Sequence, residues 1–579
     1  MENMERTYKI EEIEAKTGHA VIKIDGYLLH SKYNPIIEAQ KYAKEHYTMH
    51  HSHIVFGYGS GYLIDALFEQ LKYGEKILII DPLIEQGIIK IHERHNKEPF
   101  YYWNSTKVDP LGMYISGIAT SKESKLKVIC SYNYDKLFPN NLKLTLQLIK
   151  DYQEKSIINE NTILLFAKKW QKNLAENTIS LVNDYSLEMI KGKYSKPVII
   201  ASGGPSLTKQ LPLLKKIRKN AIVIAAGSTI NSLMAANIEP DFVVSIDGGE
   251  PNYRHFKDLE FRHARLIYCP FNHPKIRYSF KKKAFAFITN QEDETIAYFN
   301  RKFNCHFPKI VGGGSVAHYS LSIAQYISSG PIAMIGQDLA YTDNKTHASN
   351  NKHEKKITEQ DIEERSIIKA DGYFGDKVST SKVLYSMKTT FEEMEKLYPA
   401  KNPVYNCTEG GLKINGYEQL SFQEFYEKYA NVQNVQEKFG VETLKKEEID
   451  THIFNEIFED ELTIYNKIIS NLSEALLILK KNKLKIGFDK KVSKKLDVID
   501  GKLAELYPDI QMQFIVGPIV LESRQSFLEK ENETAVETYQ RVYSQTKTLY
   551  ENLLEVTIES RENINATLKK LKSEENYSK

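Results

Sequence analysis

At 579 residues the chain is long enough for roughly three or four domains. Its 41% hydrophobic and 26% charged residues are those of an ordinary globular protein, neither disordered nor fibrous. Lys plus Arg exceed Asp plus Glu by 78 − 75 = 3, a balance that argues against nucleic acid or an anionic membrane as partner. No run approaches the roughly 18–20 apolar residues a membrane span needs, and the polar, acidic amino terminus does not read as a signal peptide. Cys130, Cys269, Cys305 and Cys407 lie far apart with no CxxC pair, so neither a zinc site nor a disulfide framework is expected. A reducing cytoplasm fits that usage. The basic runs at 281–283 and 490–491 read as solvated faces.

Three regions follow in chain order: 1–160, 161–432 and 433–579. In the first, Ile54-Val55-Phe56 runs into Gly57-Tyr58-Gly59-Ser60-Gly61, then an amphipathic stretch to Leu71 and a second apolar strand, Lys76–Ile80, ending in Asp81-Pro82. Strand, glycine turn, helix, strand and acidic residue form the order of a Rossmann-like unit. Asp81 stands where a carboxylate accepts ribose hydroxyls, so a nucleotide or S-adenosylmethionine fits; equally, the glycines serve a tight turn in a domain that binds nothing.

The second region alternates strands and helices. Strands are predicted at 197–201, 221–226, 242–246, 264–268, 285–289 and 331–336, a pattern that implies a mostly parallel sheet with helices on both faces. Ligands of such sheets sit beyond the carboxyl ends of the strands. The first strand drops into Ser202-Gly203-Gly204-Pro205-Ser206. Glycines there let backbone approach a ligand, and proline suits the first helical turn. The second strand ends at Gly227-Ser228, and the third at Asp247-Gly248-Gly249-Glu250. Later, Gly312-Gly313-Gly314-Ser315 opens a helix with Ser315 as its cap, and the strand 331–336 runs into Gln337-Asp338-Leu339-Ala340-Tyr341. Two anion-type turns at one sheet edge predict a phosphate site for a nucleotide and its attached group. The third region is rich in Lys, Glu, Leu and Ile and poor in glycine, with helical spacing at Leu472, Ala475, Leu476 and Leu479. It predicts a helical bundle broken at Gly487, Gly501 and Gly517-Pro518, with a last helix from about Glu533 to Lys572. The fold expected is therefore α/β: a central Rossmann-like, mostly parallel sheet, an N-terminal Rossmann-like domain and a C-terminal α-helical bundle.

The segments GGPSL at 203–207, GGGSVAHYSLSIAQYISSG at 312–330 and GQDLAYTDNKTHA at 336–348 resemble the motility-associated factor family of flagellin glycosyltransferases. So do LHSKYNP at 29–35 with Glu38-Ala39, GYFGDKVSTS at 372–381 and NCTEGGLKI at 406–414. The resemblance covers roughly 25–430. The central region is also similar to bacterial sialyltransferases of the family-42 type, which use a cytidine monophosphate (CMP)-activated nonulosonic acid. It departs from them in two places. Ser202-Gly203-Gly204 stands where they have Gly-Asn-Gly, so their asparagine contact does not carry over. Leu339-Ala340 replaces a usually aromatic pair, leaving Tyr341 as the nearest phenol.

The resemblance implies transfer of pseudaminic or legionaminic acid, or a relative, from a CMP donor to Ser or Thr of flagellin, with no cofactor. Such chemistry needs a base for the acceptor hydroxyl, and histidine suits that task. His347, in the polar stretch 342–383 that is long enough for a lid, is assigned the role, with His353 as substitute. Tyr341 is assigned to donate to the leaving phosphate, and Asp338 to hold ribose or order the loop. Ser202, Gly203, Gly204, Pro205, Ser206, Gly227, Ser228, Asp247, Gly313, Gly314, Ser315 and Gln337 are assigned to the nucleotide sugar. His318 reads as a packed histidine. Asp247 and Glu250 are the carboxylates that would hold Mg²⁺ or Mn²⁺, though their spacing is not the DxD of metal-dependent transferases. Three other readings stand beside this one. A pterin diphosphokinase would use ATP and Mg²⁺, yet no GxxxxGK[ST] is present. A flagellin-binding chaperone would need no chemistry. A methyltransferase would rest on Gly57–Gly61 and Asp81. The C-terminal helices offer a route to an oligomer.

Overall fold

The structure, a computed structural model, describes residues 8–104, 111–118, 125–289, 293–358, 360–361, 367–431, 440–482, 490–527, 530 and 533–578. The chain divides into two compact units, 1–164 with 521–528, and 165–520 with 529–579. In the first, β1 (Ile10–Glu14), β2 (Ala20–Ile24) and β3 (Tyr27–Leu28) form an antiparallel meander. A parallel sheet follows from β4 (His51–Phe56), β5 (Ile77–Ile80), β6 (Phe100–Trp103) and β7 (Lys125–Cys130), in the order β6-β5-β4-β7. That order reverses at β4, as in half of a dinucleotide-binding fold.

The second unit is built on β8 (Tyr185–Ser186), β9 (Val198–Ala201), β10 (Ile222–Ala226), β11 (Phe242–Ser245), β12 (Arg265–Tyr268) and β13 (Phe285–Ala286). After the small pair β14 (Ile288–Thr289) and β15 (Lys309–Ile310) come β16 (Ile332–Ile335), the hairpin β17 (Ile367–Asp371) and β18 (Lys377–Ser381), then β19 (Val404–Asn406) and β20 (Glu418–Gln419). Nine strands make one wholly parallel sheet in the order β20-β19-β16-β9-β10-β11-β12-β13-β8. Every residue of β9, β10 and β16 is buried, which is why these strands read as continuous apolar runs rather than alternating ones. The Val316–Ile327 helix lies across β9, β10 and β11. The single strand expected at 285–289 is two: at Phe287 the chain leaves the large sheet, and Ile288-Thr289 pairs with Lys309-Ile310 instead.

The tail is helical, with helices Thr451–Asn482, Lys490–Leu506, Gln513–Ser526 and Ala535–Ser578. Two expected breaks are absent. Gly501 lies inside Lys490–Leu506, and Gly517-Pro518 inside Gln513–Ser526. A glycine costs a helix about 1 kcal/mol and an interior proline about 3 kcal/mol; burial of Leu496, Ile499 and Leu503 works against the first cost, and burial of Ile515 and Ile519 against the sum of the two. Gly487 lies outside the described residues.

The tail shares one core with the sheet: Phe303 meets Phe454 at 5.4 Å between ring centroids. A fully buried carboxyl sits there. Glu461 accepts from the Tyr298 hydroxyl at 2.8 Å and from the Gln511 amide at 2.7 Å. Burial pushes it up to about 7 from an ordinary 4.5. The folded chain therefore holds this proton where the unfolded chain releases it. The associated stability is present below pH 4.5 and is lost as pH rises to about 7. At about 1.4 kcal/mol per unit the loss is about 3 kcal/mol. Glu461→Gln is expected to gain that amount relative to wild type between pH 4.5 and pH 7.5 in urea unfolding.

Candidate active site

The strand order reverses between β9 and β16, the place where open α/β sheets bind ligands. Here protein closes that crevice. The Asp338 carboxylate, 1% exposed, accepts from the Ser206 hydroxyl at 2.7 Å and the Ser206 amide at 3.2 Å. Burial raises its pKa, and the Ser206 donors oppose the rise. Ser202 Oγ donates to Gln337 Oε1 at 2.6 Å, and the Gly204 amide to the Gly336 carbonyl at 2.8 Å. A Cβ on Gly204 would stand 2.1 Å from Asp338 Oδ2, so this glycine serves the closure. Pro205 is buried ahead of the Leu207–Ile217 helix rather than within its first turn. The amides of Leu207, Thr208 and Lys209 donate to the carbonyls of Gly204, Pro205 and Ser206. The turn at 202–206 is thus a packed knot: the amides of Ser202, Gly204 and Ser206 and the hydroxyls of Ser202 and Ser206 are spent on the strand end at 335–338.

Gly203 faces the other way. A Cβ there would meet Asn351 Nδ2 at 3.2 Å, Thr229 Oγ1 at 3.3 Å and the His347 ring at 3.6 Å. The loop bearing His347 is tied across these strand ends. The Ala348 amide donates to the Gly203 carbonyl at 2.9 Å, Ser349 N to Thr208 Oγ1 at 3.0 Å, and Asn351 Nδ2 to the Ser228 carbonyl at 3.2 Å. His347 is half-buried. With Thr346, Lys352, His353, Glu354 and Lys355 it lines a cleft of about 330 Å³. The charged residues of that lining are all paired: Glu354 with Lys345 at 2.8 Å, Lys352 with Asp258 at 3.5 Å and Lys355 with Asp361 at 3.2 Å. His353 stands 5.8 Å from His347 and 4.5 Å from His255, between ring centroids.

The triple glycine divides in the same way. A Cβ on Gly312 would strike the Tyr319 ring at 2.6 Å, and one on Gly313 would strike Thr390 at 2.5 Å. Gly314 is exposed, with nothing within 4 Å of such an atom. Ser315 caps the Val316–Ile327 helix, its hydroxyl accepting from the Ala317 amide at 3.3 Å. Gly227, at φ +53°, packs on Val316, which brings the β10 turn beside Ser315. His318 is fully buried and meets the Met387 carbonyl at 3.0 Å.

Tyr341 is 8% exposed, its amide donating to the Ser379 carbonyl at 2.9 Å. Asp247 is exposed at the end of β11, with Oδ1 accepting from the Gly249 amide at 2.8 Å. Glu250 pairs with His273 at 3.1 Å, whose pKa burial lowers against the pull of Glu250. No cluster of three or more His, Cys, Asp or Glu suited to a metal occurs among the described residues.

The structure thus gathers Ser202, Gly204, Pro205, Ser206, Gln337 and Asp338 into the knot, and Gly203, Ser228 and His347 around the cleft. Gly227, Gly314 and Ser315 form the neighbouring rim, Gly313 packs against Thr390 and His318, and the hydrogen bonds of Asp247 stay at the β11–β12 end. Asn351, Lys352 and His255 were not singled out from sequence. The polarity of 342–383 signals the first two; nothing local marks His255.

In the first unit the turn at 57–61 is filled from within. Cβ atoms on Gly57, Gly59 and Gly61 would meet Tyr134 at 2.5 Å, His30 at 2.6 Å and Tyr58 Oη at 2.9 Å. The amides of Tyr58, Gly59 and Ser60 donate to Asp81, the Tyr134 hydroxyl and His30 Nε2. Asp81, 1% exposed, also accepts from the Tyr134 hydroxyl and the amides of Leu83 and Ile84. Tyr134→Phe removes the hydroxyl that bridges Gly59 and Asp81. It is expected to lower stability by about 1–3 kcal/mol in denaturant unfolding, the scale of a buried polar group left unsatisfied.

No curated protein sequence matches the chain significantly. Residues 168–344 match the family described as 6-hydroxymethylpterin diphosphokinase MptE-like. Among solved structures, the fold is similar to that of the Maf glycosyltransferase from Magnetospirillum magneticum AMB-1. The TM-score is 0.55 at 14% identity, covering 98% of this chain and 92% of that one.

Proposed function

We propose that this protein is a glycosyltransferase that moves a nonulosonic acid of the pseudaminic or legionaminic type from a CMP-activated donor to Ser or Thr hydroxyls of flagellin. The observation that carries the reading is the likeness of fold, along 98% of the chain, to a Maf glycosyltransferase. The site geometry supports it. Lys352 and Lys355 in the cleft lining can donate to the anionic groups of a CMP sugar, and His347 stands at its wall, where it takes the acceptor proton as the anomeric carbon is attacked. The glycosidic C–O bond forms as the bond from that carbon to the phosphate oxygen breaks, and CMP leaves with the electron pair. Gly314 and Ser315 offer an open rim to the nucleotide. Tyr341 and Asp338 act from beneath, since both are buried.

A second reading, transfer of diphosphate to a pterin, is favoured by the match at 168–344. It requires ATP and Mg²⁺. The chaperone reading requires no nucleotide at all.

Calorimetry with CMP, and with ATP plus Mg²⁺, separates the three. CMP is expected to bind wild type, and Gly314→Val to bind at least about tenfold more weakly with unchanged thermal stability, because open space surrounds that Cα. Preference for ATP plus Mg²⁺ selects the kinase, and no nucleotide binding selects the chaperone. His347→Ala is expected to keep CMP affinity while sialyl-type transfer to purified flagellin falls about 10²–10⁴-fold, the scale of a lost general base.

A further inference from the structure

His255 follows the β11 turn on no recognised motif, yet its environment is built. Asn231 Nδ2 donates to the His255 backbone carbonyl at 2.7 Å, and Asn231 Oδ1 meets His255 Nδ1 at 2.8 Å. A carbonyl only accepts, so the amide cannot be flipped; Oδ1 must face the ring, and Nδ1 must carry the hydrogen. The residue is 4% exposed, and burial, helped by His353 and Lys352, holds the ring's pKa down to about 4. The imidazole is therefore neutral at physiological pH, with Nε2 bare. Its ring meets His353 edge to face, 4.5 Å between centroids at 68°. Around it stand His347, Lys352 and His353 from the loop, and Arg254 and Asp258 on its own segment; Lys352 bonds to the Arg254 carbonyl and pairs with Asp258 at 3.5 Å.

We propose that His255 is a positioning residue, clamped by Asn231 through Nδ1–H, whose ring fixes where His353 stands beside His347. The inference rests on the reading of His347 as base. His255 touches no reacting atom; it is a rigid neutral wall that keeps water and charge from one side of the loop histidines.

Two measurements test it. In protein labelled with ¹⁵N-histidine, the signal lost in His255→Phe identifies His255, and it is expected to show the neutral Nδ1–H form from pH 5.5 to 8. A protonated or Nε2–H ring in that range overturns the proposal whatever the reaction is. In the second, His255→Ala is expected to bind CMP within about twofold of wild type. Transfer from CMP-pseudaminic acid to flagellin falls about 10- to 100-fold, the scale of an ångström of misplacement. The acid limb of its pH–rate profile moves, because the ring no longer walls off one side of the base. His255→Phe, which keeps the ring, retains more activity than His255→Ala. An unmoved limb with activity lowered equally at every pH marks a purely structural role and overturns the proposal. Wild type that neither binds CMP nor transfers defeats the glycosyltransferase reading instead, and leaves the labelling result standing.

Discussion

The contact between Ser206 and Asp338 is the constraint on which the rest of the central unit depends. It joins positions 132 residues apart in sequence, across the point where the sheet reverses direction. A buried carboxylate is costly unless its lone pairs are used. Here the hydroxyl and amide of one residue use them, and a glycine at 204 leaves the room. With the crevice between β9 and β16 sealed, the open space at these strand ends lies outward. It is then bounded by what faces away from the seal: Gly203, Ser228, Gly314 and the loop that carries His347.

The first unit repeats the arrangement with a different occupant. Its glycine turn also follows the strand at which the sheet order reverses, and it also meets a buried aspartate. There the rings of Tyr134 and His30 take the volume a ligand's phosphate would take, and the loop amides donate to protein atoms. The same backbone motif thus has two fates in one chain, decided by the size of the side chains that reach it. Neither glycine spacing nor strand order distinguishes them.

The parallel strands from 198 to 335 were legible because burial on both faces leaves an uninterrupted apolar run. Strands of two or three residues, such as Tyr185-Ser186 and Glu418-Gln419, carry too few side chains to leave a pattern. The helical tail was legible by period, but its glycines misled at 501 and 517, since a buried stripe outweighs a weak propensity. In the site, Gly204 and Asp338 were visibly unusual, yet their dependence on each other was not, because no local pattern reports a contact across so long a separation. His255 was invisible for the opposite reason: among Asn252, Tyr253 and Arg254 it looks like a solvated residue, and only folding buries it.

The loop over the cleft is closed upon itself. The Thr346 amide donates to the Lys355 carbonyl, the Lys355 amide to the Thr346 hydroxyl, and that hydroxyl to the carbonyl of His353. Lys345 bridges Lys356, and the Ile357 amide reaches the Asn344 carbonyl. Outward, the loop is held by a few single bonds, to Gly203, Thr208, Ser228 and the Arg254–Asp258 segment. Cross-linked in this way, the loop is one piece, and a movement of it would be that of a unit instead of an unravelling residue by residue. Both ring-bearing positions, 347 and 353, travel on it together. Lifting such a piece would cost only its few outward anchors and leave its own fastenings whole, so single bonds and not the core would set the ease of its opening.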